Sequence, residues 1–101
     1  LVSRERPIAN VLDLLGRRWA MRLVWELRRD AVSFSELRRR IEISPSVLST
    51  RLAELSTAGI VERERSRRYR LTGRGRALAR MLYEINRWAE AAGVSSESEL
   101  A

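Results

Sequence analysis

The 101-residue chain contains no cysteine, no histidine and no lysine. Without cysteine or histidine there is no disulfide, no zinc site, no thiol redox sensor and no imidazole acid–base catalyst. Without lysine, Schiff-base chemistry is excluded as well. No apolar run approaches the roughly 20 residues of a membrane span, and no secretory leader is visible. A cytoplasmic location with no membrane partner is therefore expected. The chain opens on Leu1 rather than Met, as a trimmed chain does. Carboxylates, Tyr69, Tyr83, serines and arginines are all that remain for catalysis. Glu62 and Glu64 fall on one face of a candidate strand but sit among arginines, so ion pairing across a hairpin explains them better than acid–base work. Gly73-Arg74-Gly75 lacks the flanking strand and the full spacing of a phosphate-binding fingerprint. Neither an enzyme nor a cofactor is expected.

What the chain does have is positive charge. All 20 basic residues are arginine, against 13 acidic ones, for a net charge of +7 and a pI near 11.4. A fixed field of this size attracts polyanions, with duplex DNA, RNA and anionic membrane as the candidates. Arginine suits phosphates and guanine edges because its planar fork donates two parallel hydrogen bonds. Codon bias accounts for arginine over lysine, but not for the positive excess. With 45% apolar residues, there is material for one compact domain and too little for two. One domain over residues 1–101 is expected, with a core at 7–92 and flexible ends at 1–6 and 94–101.

Hydrophobic spacing lays out the elements. Pro7 suits a first helical turn, and Ile8, Val11, Leu12 and Leu15 follow at helical spacing up to a stop at Gly16. Ala9 and Leu14 lie off that stripe, so this helix is expected to bury two faces. A second helix over about Arg18 to Arg28 carries Trp19, Leu23 and Leu27 on one side and Met21, Val24 and Trp25 on the other. That places it centrally, with Trp19 and Trp25 in the core. Ala31-Val32 suggests a minimal strand. Ser33 with Glu36 forms a capping box for a third helix, which buries Phe34, Leu37 and Ile41 and ends in Arg38, Arg39 and Arg40. After Glu42 and Ile43, Ser44 and Pro45 are an N-cap and a first-turn proline, and the helix they open runs to Gly59, its predicted C′ residue. Two capped helices joined this tightly have helix-turn-helix spacing. Residues 60–71 alternate as a hairpin should, with Val61, Tyr69 and Leu71 inward and a basic tip at Arg65-Ser66-Arg67-Arg68. Thr72 caps a last helix in which Leu78, Met81, Leu82, Ile85, Trp88, Ala89 and Ala92 recur at helical spacing. The fold class is mainly α with a small β-hairpin, in winged-helix order.

The stretches LDLLGRRW (12–19), FSELRRRI (34–41), ISPSVLSTRLAEL (43–55), AGIVER (58–63) and YRLTGRGRAL (69–78) resemble, in order and spacing, the HxlR-type winged helix-turn-helix regulators, and more distantly the MarR type. The resemblance covers residues 7–92. It implies DNA binding by a homodimer whose terminal helices form most of the interface. Family members often carry a cysteine just before the first-helix proline, and some sense oxidants or electrophiles with it. Arg6 stands there in this chain, so thiol sensing does not carry over. The wing is also several residues shorter than is usual in the family.

On that reading, the helix at about 45–58 is the recognition helix and residues 64–68 are the wing tip. At about 100° per residue, Val47, Leu48, Leu52 and Leu55 share the core side. Ser46, Ser49, Thr50, Ala53 and Thr57 lie opposite, toward the major groove. These hydroxyls bond base edges or phosphates, or else they only decorate a solvated face. The Ser44-Pro45 N-terminus adds backbone donors for a phosphate. Arg51 sits beside the core stripe, where its stem snorkels and its head reaches either a phosphate or Glu54. Arg38 and Arg39, with Arg40, suit phosphate contact or a solubilising face. Arg65, Arg67 and Arg68 suit a narrow minor groove.

The last helix has a wider apolar arc than one packing face needs. Met81, Ile85, Trp88 and Ala92 are expected to meet Ile8, Val11 and Leu14 of a second subunit; the alternative is one unusually buried helix in a monomer. A two-fold dimer on an inverted repeat is expected, with recognition helices roughly 34 Å apart. A crevice between the dimer helices, lined by Trp and Met, could hold a ligand, but neither the existence nor the identity of a small-molecule effector is read from the sequence. The rival reading is a winged-helix module for RNA or protein contact.

Overall fold

The computed structural model describes residues 7–94. Within them, α1 (Pro7–Leu15), α2 (Ala20–Glu26), α3 (Phe34–Ile41) and α4 (Pro45–Thr57) precede a hairpin of β1 (Val61–Arg63) and β2 (Tyr69–Leu71), and α5 (Gly73–Ala91) follows. Of the flexible ends expected at 1–6 and 94–101, residues 1–6 and 95–101 lie outside the described residues. Val94 is different: its N–H donates to the Ala89 carbonyl at 2.8 Å, and Gly93 (φ 80°) supplies the left-handed turn that closes α5.

Local chemistry sets most boundaries. Ser33, Ser44 and Thr72 cap α3, α4 and α5, their hydroxyls accepting from the N–H groups of Glu36, Val47 and Gly75. The capping box at Ser33 is only half formed. The Glu36 carboxylate bonds Arg39 and Arg40 instead of reaching back to Ser33. At the other end of α4, Gly59 (φ 75°) donates to the Ser56 carbonyl and Ile60 to the Leu55 carbonyl, which completes a Schellman cap. The hairpin register pairs Val61 with Leu71, Glu62 with Arg70 and Arg63 with Tyr69. The minimal strand at Ala31-Val32 shrinks to one residue: Val32 exchanges both backbone bonds with Tyr69.

Two expectations about the first helices need correction. The second helix starts at Ala20 rather than Arg18, because Trp19 adopts φ 81° and breaks the helical path. Trp19 and Trp25 lie against the core, half-buried, rather than within it. And α1 does not bury two faces: none of its residues is buried, Ala9 is exposed, and Leu14 is the α1 side chain packed against the core.

The core forms around α2. Ala20, Leu23, Val24 and Leu27 are buried there, Met21 and Trp25 lean on the same cluster, and Arg22 is the only exposed residue of α2. Leu37 and Ile41 of α3, Leu48, Leu52 and Leu55 of α4, Val61 and Leu71 of the hairpin, and Ala79 and Leu82 of α5 close over it. Each fully buried leucine contributes roughly 1.5–3 kcal/mol by transfer from water. No charged or polar residue is buried among the described residues, so the described arginines remain at the surface or its margin. No helix there is long and apolar enough to cross a membrane.

The start of α5 lies directly on the end of α4. The Thr72 N–H donates to the Ile60 carbonyl at 3.0 Å, and the Thr72 hydroxyl reaches the Gly59 carbonyl at 2.5 Å. Gly75 permits this approach, since a Cβ there would stand 2.1 Å from the Ile60 carbonyl oxygen. Gly75→Ala is therefore expected to destabilise the fold by about 2–3 kcal/mol, read as a lowered urea midpoint. An unchanged midpoint would show that the two elements can separate freely.

Candidate nucleic-acid interface

The turn between α3 and α4 is held by opposite tendencies of two adjacent residues. Glu42 takes a left-handed conformation (φ 52°) and points outward, while Ile43 is buried. This re-aims the chain so that Ser44 caps α4 from the surface, its oxygen 3.4 Å from the Val47 N–H. Leu48, Leu52 and Leu55 then face the core. Ser46, Ser49, Thr50, Ala53 and Thr57 are exposed on the opposite side, a face with no acidic residue, and Pro45 is exposed at the start of the helix. Thr50 donates its hydroxyl proton to the Ser46 carbonyl at 2.9 Å. In that state its outward lone pairs can accept a hydrogen bond but not donate one.

Electrostatics at the hairpin follow from which arginine holds the carboxylates. Arg70 takes Glu62 across the strands at 2.7 Å and lies 3.8 Å from Glu64. Ser66 donates to Glu64 at 2.9 Å. Arg65, Arg67 and Arg68 are exposed and form no ion pair among the described residues. The tip is closed by Arg67 N–H to the Glu64 carbonyl at 2.9 Å and Glu64 N–H to the Arg68 carbonyl at 2.7 Å. Arg67 occupies, at φ 70°, the left-handed position that such turns normally give to glycine. A side chain there costs about 1–2 kcal/mol, and the chain keeps a guanidinium at the apex all the same.

On α3, Arg39 and Arg40 bond Glu36, and Arg40 also approaches Glu26 at 3.9 Å. Arg38 is exposed and has no carboxylate partner among the described residues. Arg51 is engaged inside the fold. Its Nε donates to the Arg18 carbonyl at 2.8 Å and its Nη1 to Glu54 at 3.1 Å. Of the two roles the sequence leaves open for Arg51, the geometry fits the internal one. Arg17, which also bonds Glu54, has no local signal in the sequence because the pair is 37 residues apart.

The terminal helices leave a second kind of surface. Ile8, Val11, Met81, Ile85 and Trp88 are exposed, Trp88 by 66%, and Ala92 is exposed as well. Leu14, expected at the same surface, is turned onto its own core. Leu12 (62% exposed) and Tyr83 belong with the exposed set although they were not expected there. Leu12 lies on the α1 stripe, so its spacing carried the signal. Beside this surface, Met21, Trp25, Leu82, Ile85 and Ala89 line an open, apolar groove of about 560 Å³.

Fold, acid-free helix face and basic wing together define a winged helix-turn-helix protein of the DNA-binding class. The sequence matches the HxlR-like helix-turn-helix family over residues 14–97. It is 38% identical to the HTH-type transcriptional regulator YvaP of Bacillus subtilis, covering 79% of this chain and 81% of that one. It is 32% identical to the regulator YdzF of the same organism, over 90% and 91% of the two chains. Among solved structures it is similar to quinone-bound YodB from B. subtilis (TM-score 0.77, 32% identity, 89% of this chain and 99% of that one). The transcriptional repressor BigR from Xylella fastidiosa is also similar (TM-score 0.70, 35% identity, 81% and 85% covered). The chain belongs to the HxlR-like helix-turn-helix family of transcription regulators, and its likeness extends to MarR-family structures.

The wing-tip geometry makes a stability prediction. Arg67→Gly is expected to raise stability by about 0.5–1 kcal/mol, because relief of the left-handed strain exceeds the added chain entropy of glycine. Arg67→Ala keeps the strained conformation and should give no gain. Paired urea titrations that rank the two variants the other way would refute the strained-turn account.

Proposed function

We propose that the protein is a sequence-specific, double-stranded DNA-binding transcription regulator that acts as a homodimer on an inverted repeat. In this reading residues 45–58 lie in the major groove and the wing tip at 64–68 reaches the minor groove. The observation that carries it is the uncompensated charge of Arg65, Arg67 and Arg68, beside wing carboxylates already held by Arg70. Guanidinium groups on a narrow ribbon fit the negative potential of a narrow minor groove. Arg38 and Arg39, on the helix that crosses the backbone in this architecture, suit phosphates, as do the backbone N–H groups of Ser44 and Ser46 on either side of Pro45. Arg51 serves as a support of α4 rather than as a contact.

The reading helix discriminates bases modestly. Ser46, Ser49 and Thr50 lack the bidentate geometry of arginine, asparagine or glutamine. With its proton engaged, Thr50 favours a base amino group, such as N4 of cytosine or N6 of adenine, over a phosphate. Specificity is then shared among these hydroxyls, the wing arginines, DNA shape and half-site spacing. A thiol-based response to quinones or oxidants has no residue to act through in this chain. A regulator of this type works where the DNA is, in the cytoplasm.

Dimerisation rests on the apolar faces of α1 and α5. Exposed apolar side chains gathered on a helix face mark an interaction site, and a two-fold partner would cover Ile8 and Val11 of α1 with Met81, Ile85, Trp88 and Ala92 of α5. Light scattering at micromolar concentration should give twice the 11.7 kDa chain mass, and Trp88→Glu should shift it to the monomer. A wild-type monomer would overturn the dimer.

If the dimer neutralises about eight phosphates, the logarithm of its DNA affinity should fall with log salt at a slope near −7. Changing Arg67 and Arg68 to alanine removes up to four contacts per dimer and should flatten that slope by about 3–4. A salt-insensitive affinity would refute the electrostatic account. A preference for single-stranded competitor would point to RNA instead.

A further inference from the structure

Glu54 and Arg51 tie the turn between α1 and α2 to α4. One carboxylate oxygen bonds Arg17 and the other takes Nη1 of Arg51 at 3.1 Å, while Nε of Arg51 donates to the Arg18 carbonyl at 2.8 Å. Arg17 and Arg18 form the turn between α1 and α2. That turn contains the left-handed Trp19 (φ 81°), with the Arg18 guanidinium 5.0 Å from the centre of its ring. On α4, Arg51 and Glu54 lie about 300° and 240° around the helix from Leu48, on the flank between the buried stripe and the exposed reading face. Their side chains are 22% and 25% exposed, so neither is free in solvent.

The position matters because of what α1 lacks. It has no buried residue, and Leu14 is its main apolar hold on the core. A helix held so lightly can tilt about the turn that follows it. The Glu54 cluster fixes that turn to the side of α4. We propose that Glu54, with Arg17 and Arg51, is a positioning residue for DNA binding: it locks α1 to the reading helix α4 and so sets the separation and twist of the two reading helices in the dimer. This inference rests on the dimer-on-inverted-repeat reading above.

Exposed and half-exposed ion pairs add little to stability, so variants at this cluster should remain folded and the effect should be read in geometry. The experiment measures affinity for the selected inverted repeat with its central spacer lengthened or shortened by one base pair. Each such step moves the half-sites by about 3.4 Å and turns them by about 35°. Wild type should bind the parent spacing most tightly. Glu54→Gln and Arg51→Met should lose about five- to tenfold of that preference, with mass by light scattering and salt slope unchanged. Arg17→Met leaves the Arg51–Glu54 pair intact and should give the same loss, which serves if a change at Glu54 prevents folding. Wild-type spacing preference in all three variants would overturn the proposal, as would a salt slope flattened by about 2 in Arg51→Met, the mark of one phosphate contact per subunit. A wild-type protein indifferent to spacing would instead overturn the inverted-repeat reading, and the positioning role with it.

Discussion

At the end of α4 the backbone of Ile60 takes part in several contacts at once. Its N–H closes the C-terminal cap of α4 on the Leu55 carbonyl, and its carbonyl accepts the Thr72 N–H at 3.0 Å. The same carbonyl leaves no room for a Cβ at Gly75. The reading helix, the first wing strand and the start of α5 thus meet at the two peptide groups of one residue, and none can shift without the others. This is why a two-stranded hairpin of three residues per strand, marginal alone, can carry a defined tip. Its base is fixed by the Ile60–Thr72 contact and its side by the bridge between Val32 and Tyr69.

That fixed frame turns the charge distribution into a directed field. A net +7 spread evenly would attract any polyanion weakly. Here Glu36, Glu54, Glu62 and Glu64 each hold arginines locally: Arg39 and Arg40, Arg17 and Arg51, and Arg70. Removing those arginines from the field leaves Arg38 on α3 and Arg65, Arg67 and Arg68 at the wing tip among the exposed cations without a carboxylate partner in the described residues. The carboxylates do not dilute the positive surface so much as choose which arginines express it.

Most of the fold was legible because its determinants are local. Serine or threonine three residues before a free N–H, proline in a first turn and glycine after a last one act within one turn of chain, and they placed α1, α3, α4 and α5 closely. The wing tip was legible for the same reason. What escaped depends on contacts across the chain. Trp19 keeps a helical pattern, yet its backbone is left-handed, so α2 begins late. Glu36 completes a capping box on paper, but Arg39 and Arg40 compete for its carboxylate and win. Leu14 shares the α1 sequence pattern with Val11, and only the neighbouring α2 and α4 decide that it turns inward. Arg51 fits contact or support equally on sequence spacing, and only the Arg18 carbonyl, 33 residues away, fixes it inside the fold.

The two surfaces of the molecule bear on each other through α1. A nine-residue helix is too short to be stable in water by its own hydrogen bonds. With no buried residue, α1 also draws little from the core, so its order has to come from cover over Ile8, Val11 and Leu12 and from the turn that anchors its end. On the proposed reading, the cover is the second subunit and the anchor is Glu54, whose arginine partners sit in that turn and on the reading helix. Dimerisation would then order α1, and α1 would in turn fix where the reading helices stand. A coupling of this kind needs no effector pocket: any event that loosens the α1–α5 contact changes half-site geometry through a few hydrogen bonds.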